Sequence, residues 1–126
     1  MATLESKIIA VLNPVFNNRI WFDAIPDAVN PDAPVCVVNQ VGGAGRAWFL
    51  DGAMDDWDNA RLQFFIWGRD RIEVDAKQNE MHEALRAVSN SIDTYIAPIG
   101  GSVSDYNEPL KLKGIRTDYQ VWFKAV

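Results

Sequence analysis

The sequence predicts an α+β fold, a single mostly antiparallel β-sheet with two helices packed on one face, and three stretches carry that prediction. In Ala60-Arg61-Leu62-Gln63-Phe64-Phe65-Ile66-Trp67, side chains alternate as they must along a strand: Leu62, Phe64 and Ile66 point one way, Arg61, Gln63, Phe65 and Trp67 the other. Asp70-Arg71-Ile72-Glu73 then has the form of a capping box, with Asp70 as N-cap and Glu73 placed to reach back to its amide. Behind it Val74, Met81, Leu85, Val88 and Ile92, with Ala84 beside them, form an apolar stripe at helical spacing, so a helix should run to Ile92. Third, Ile115 to Lys124 alternates again, with Ile115, Tyr119, Val121 and Phe123 on one face and Arg116, Asp118, Gln120 and Trp122 on the other.

The remaining elements follow in order. Thr3 is placed to cap a first helix whose stripe is Leu4, Ile8, Val11, Leu12 and Val15, with Asn13-Pro14 marking its end. Arg19-Ile20-Trp21-Phe22-Asp23 reads as a short strand, followed by a loop rich in proline, aspartate and asparagine up to Pro34. Pro34 opens the β-branched strand Val35 to Val41, where a missing amide does least harm. Residues 42–57 are glycine-rich at the start, aromatic in the middle and acidic at the end, which suits a loop or protruding hairpin. Residues 94–98 and 100–106 read as one strand broken by a glycine kink at Gly100-Gly101.

At 126 residues the chain is expected to be one domain, 1–126, long enough for helices on one side of a sheet and too short for helices on both. The second face therefore needs another cover. Five tryptophans are many for this size, and aromatic residues with arginine are enriched in interface cores, although they also fill monomer cores. A net charge of −5 and the lack of a Lys/Arg cluster argue against nucleic-acid binding through phosphates. The single Cys36 allows no internal disulfide and no cysteine metal cluster, which fits synthesis in a reducing compartment. Residues 1–7 lack the pattern of a secretory leader, and no apolar stretch has the length of a membrane span, so neither export by that route nor membrane insertion is expected.

No chemistry stands out. Gly43-Ala44-Gly45-Arg46-Ala47-Trp48 puts tryptophan where a dinucleotide fingerprint needs its third glycine, and no helix is predicted to start there, so no cofactor is expected. His82 is the only histidine and lies mid-helix without HExxH spacing, which points to a surface or edge-of-core residue and to no metal site. The aspartates Asp51, Asp55, Asp56 and Asp58 lack the ligand order of an EF-hand and read as a solvated loop. Nothing brackets Cys36 or a serine as an activated nucleophile, and the chain is not expected to be an enzyme.

The order of elements resembles the small tail-completion or tail-terminator family of long-tailed bacteriophages and related prophages. The likeness runs from the initial helix through Arg19-Ile20-Trp21, Pro34-Val35-Cys36-Val37-Val38 and Leu50-Asp51-Gly52 to the strand Arg61 to Trp67, the long helix and the closing Tyr119-Gln120-Val121-Trp122-Phe123. That resemblance implies a virion protein, assembled in the host cytoplasm, forming a ring of its own copies, typically six. The ring sits at the head-proximal end of the tail tube, where it stops tube polymerisation and meets a head-completion or connector protein. It brings no catalytic residues. The aromatic Trp48-Phe49 and Trp57 around Leu50-Asp51-Gly52 depart from the commonest family pattern.

Two surfaces become candidates under that reading. Arg61, Phe65, Trp67, Arg116, Gln120 and Trp122 share the second sheet face and have the mixed composition of a subunit interface. Arg46, Trp48, Phe49, Asp51 and Trp57, in the 43–57 loop, are placed to meet the tube or the next ring. A neck or connector role is the nearest alternative, with a monomeric adaptor or a small enzyme further off.

Overall fold

The computed structural model describes residues 4–24, 34–42, 57–89, 94–108 and 110–124. Two helices and five strands run in the order α1 (Leu4–Phe16), β1 (Ile20–Phe22), β2 (Val35–Gln40), β3 (Trp57–Gly68), α2 (Arg71–Ser89), β4 (Thr94–Asn107) and β5 (Leu112–Lys124). They form one sheet of strand order β1-β2-β3-β5-β4, in which only β1 and β2 run parallel. The α+β architecture is as expected, with one parallel pair at an edge.

Helix α1 passes through Pro14 instead of ending there. Proline removes one amide near the helix end, and the chain continues for two residues before Asn17 and Asn18 take left-handed conformations at φ 53° and 63°. The Asn18 amide then donates to the Asn13 carbonyl at 2.9 Å, the six-residue closure of a Schellman cap, with asparagine where glycine is more usual. Helix α2 begins at Asp70 as expected, the Ile72 amide donating to Asp70 Oδ1 at 3.0 Å and the Val74 amide to the Asp70 carbonyl at 3.1 Å, but the Glu73 half of the expected capping box does not form among the described residues. It is described to Ser89; Ile92 lies outside the described residues.

Strand β3 is longer than alternation alone marks, starting at Trp57, which pairs with Lys124, and running to Gly68 opposite Lys113. This corrects the placement of Trp57 in the preceding loop: it opens the central strand. The predicted break in the 94–107 segment is a bulge within one continuous strand. Ile99 faces Asp118 and Val103 faces Arg116, so three residues of β4 oppose Thr117 alone, and Gly100 takes φ 71° to absorb the excess.

The helices cover one face. Ile8, Leu12 and Phe16 of α1 and Val74, Met81 and Leu85 of α2 are buried against Leu62, Phe64, Ile66, Ile115, Tyr119 and Val121 of the central strands. The edge of the Phe64 ring meets the Tyr119 ring at 86° and 5.4 Å. Cys36 is fully buried in the same core, and burial pushes its thiol well above the usual range, which makes it an inert packing residue.

Candidate functional site

The face turned away from the helices is set by register. Cross-strand partners share a face, so Trp21 and Val37 neighbour Phe65, Phe65 neighbours Arg116, Arg61 neighbours Gln120, and Trp122 neighbours Tyr95. No described helix or strand lies over them. Phe65, Trp67, Arg116, Gln120, Trp122 and Trp21 are half-buried, Arg61 is exposed, and Tyr95 and Val103 are 56% and 46% exposed. Six predicted interface residues thus fall on one continuous surface.

Local packing holds that surface in shape. The Phe65 and Trp67 rings lie parallel within 3°, with centroids 6.3 Å apart, as side chains two residues apart on one face can. Across the ladder from Trp67 is Gly114, and the indole lies directly over it: a Cβ at Gly114 would come within 2.6 and 2.7 Å of two ring atoms. The glycine is therefore the seat of the tryptophan. One diagonal step away, Arg61 Nη2 meets Asp118 Oδ2 at 2.5 Å, while the other oxygen of the buried Asp118 carboxylate has no partner among the described residues.

The fold is similar to one seen in a virion. Across 92% of its length the chain superposes on 86% of a chain in the virion of a native gene transfer agent particle, with a TM-score of 0.56 and 12% sequence identity. At that identity the likeness is one of fold. No protein-family model matches the chain, and no curated protein matches it in sequence.

A second feature, on the helix side, was not legible in the sequence. Between α2 and the bulged part of β4 lies a cleft of about 620 Å³ lined by His82, Leu85, Arg86, Tyr95, Thr117 and Tyr119 among others. Its floor is a polar network: Gln78 Nε2 donates to Thr117 Oγ1 at 2.6 Å and to Ser102 Oγ, and His82 Nδ1 is held against the Tyr119 hydroxyl. Burial lowers the His82 pKa, with Glu83 opposing the shift. The arrangement reads as closure of polar groups at the end of a core: the hydroxyls, amide and imidazole bond to one another. Among the described residues no group of acids, histidines or cysteines is arranged to hold a metal ion.

Of the predicted partner-binding loop, Arg46, Trp48, Phe49 and Asp51 lie outside the described residues, and Trp57 belongs to β3. No helix is long and apolar enough to cross a membrane among the described residues.

Proposed function

We propose that the protein is a structural component of a virion that assembles with its own copies into a ring of about six at the head-proximal end of a tail tube, ending tube growth and joining tail to head. The observation that carries this reading is the sheet face over which no described helix or strand lies. Trp21, Phe65, Trp67 and Trp122 are only half-buried on one surface, with arginine and glutamine between them, which is the composition of an interface core. Fold likeness to a virion chain supports the same class of role.

The physical work of such a ring is binding. Each copy presents the rigid face of a five-stranded sheet, held by the α1 and α2 core behind it, so little conformational entropy is lost when a neighbour docks. A ring needs two different surfaces per copy, and the sheet face supplies one of them. Residues 43–56, with Arg46, Trp48, Phe49 and Asp51, are proposed to meet the tube protein or the head-side connector.

Native mass and electron-microscope images over a concentration series test the reading, with and without purified tail tubes. A closed ring that caps tubes supports it. A monomer at every concentration, with tubes added, contradicts it. Deleting residues 44–49 is expected to leave the ring and abolish capping; unimpaired capping would remove the loop from the account.

A further inference from the structure

The sheet has two edges, and one of them is sealed along only half its length. Hydrogen-bond parity determines which β4 groups face outward. Arg61 donates to the Gly42 carbonyl and accepts from the Val41 amide, so odd residues of β3 bond toward β2 and even ones toward β5. Ala60, Leu62 and Phe64 pair with Val121, Tyr119 and Thr117, so odd residues of β5 face β3 and even ones face β4. The β4 partners of even β5 residues are Tyr95, Ala97, Ile99, Val103, Asp105 and Asn107; Ile96, Pro98, Ser104 and Tyr106 consequently turn their backbone groups away from the sheet.

The near half of that edge is closed. Ser89 Oγ, at the end of α2, donates to the Ile96 carbonyl at 2.9 Å and accepts from the Ile96 amide at 3.1 Å, and Pro98 has no amide to offer. Both facts independently confirm the parity. Beyond the bulge the protection stops: all residues from 100 to 106 are exposed, and no backbone partner meets Ser104 among the described residues. The Tyr106 amide is held only by the neighbouring Asp105 Oδ1, at 2.8 Å, a local contact that is readily exchanged. Val103 and Tyr106, 46% and 49% exposed, flank Ser104 on opposite faces. A strand with apolar groups on both faces and open backbone groups is a template for strand addition.

We infer that the far half of β4, centred on Ser104, pairs with β1 of a second copy of this chain, joining neighbouring subunits edge to edge. The inference rests on the ring reading: β4 of one copy and β1 of the next are the two different surfaces of each ring contact, and the aromatic sheet face, with Trp21 on β1 and Tyr95 on β4, borders both. The other edge of the same sheet matches. Arg19 accepts from Cys36 and Asp23 donates to Val38, both toward β2, so Ile20 and Phe22 turn outward, two residues apart like Ser104 and Tyr106, and the Phe22 carbonyl is held only by the neighbouring Ala24 amide at 2.9 Å, a local contact like that at Tyr106. An edge of β4 that meets an edge of β1 is a heterologous contact, the kind that closes rings.

Ser104→Pro tests this directly, because the outward amide it removes serves no bond within the sheet. Ser104→Ala is its control: it keeps the amide and loses only the side-chain contact with Arg71. The expected result is that Ser104→Pro raises the concentration needed for ring formation about tenfold or more. The alanine variant should assemble as the wild type does, and both variants should melt as monomers near the wild-type temperature. Hydrogen exchange of the wild type should show residues 102–107 and 19–23 gaining protection together on assembly. A ring that Ser104→Pro leaves intact, or protection of 102–107 without 19–23, overturns the inference and leaves the ring standing. A wild-type chain that never assembles overturns both.

Discussion

Phe64 and Phe65 are adjacent in the chain and belong to two different environments. Phe64 is fully buried under the helices and meets Tyr119 edge to face, whereas Phe65 lies half-buried on the face with no described helix or strand over it, stacked along Trp67. The same contrast runs across the whole sheet. The helix-covered face is apolar and its few polar groups close on one another; the other face interleaves tryptophans with arginine, glutamine and one incompletely bonded aspartate. What this difference teaches is a division of labour. One face carries the folding core, and the other, with no described helix or strand over it, is the proposed assembly surface.

Substitution of the two neighbours should break the comparison most sharply. Phe64→Ala is expected to cost about 3–5 kcal/mol in urea denaturation, through lost burial and a cavity, whereas Phe65→Ala should cost the monomer about 1 kcal/mol and act mainly on assembly. Equal losses would mean that both faces are core. Next in size is Gly114→Ala, which drives a methyl group into the Trp67 indole and should cost about 1–3 kcal/mol by thermal melting. In a Trp67→Ala background that cost should largely vanish, a coupling that locates the strain in this one pair.

The Arg61–Asp118 pair is a smaller matter. Arg61 is 46% exposed, so solvent screens the attraction, and Arg61→Met should lower monomer stability by about 1 kcal/mol or less, with the difference shrinking in high salt. The least effect belongs to the helix side. Because burial lowers the His82 pKa, the unfolded chain takes up a proton at this site at higher pH than the folded one. Its contribution is therefore complete above the unfolded value of about 6.5 and is lost as pH falls from there toward the lowered folded value. The melting temperature should decline slightly over that window, and His82→Gln should flatten the decline.

Much of this contrast is legible in the sequence because strand alternation is a strictly local signal. The two faces of β3 and β5, the Asp70 cap and the stripe of α2 follow from spacing alone. Long-range pairing is a different matter. Nothing local says that β1 runs parallel to β2, that β3 extends back to Trp57 because Lys124 lies opposite, or that Gly114 seats Trp67. Pro14 misleads for a related reason: a missing amide costs little where two asparagines can close the helix soon after it. The contact of His82 with Tyr119 spans 37 residues and joins a helix to a strand, a distance no periodicity reads.

The most direct measurement is the native mass of Trp67→Glu beside that of the wild type, each over a concentration series and with a melting curve. The account predicts a wild-type ring of about six copies and a Trp67→Glu monomer that melts within a few degrees of the dissociated wild type, because a half-buried charge on the open face spoils docking more than folding. A Trp67→Glu ring indistinguishable from the wild type would contradict the account, showing that the aromatic face is not where the copies meet.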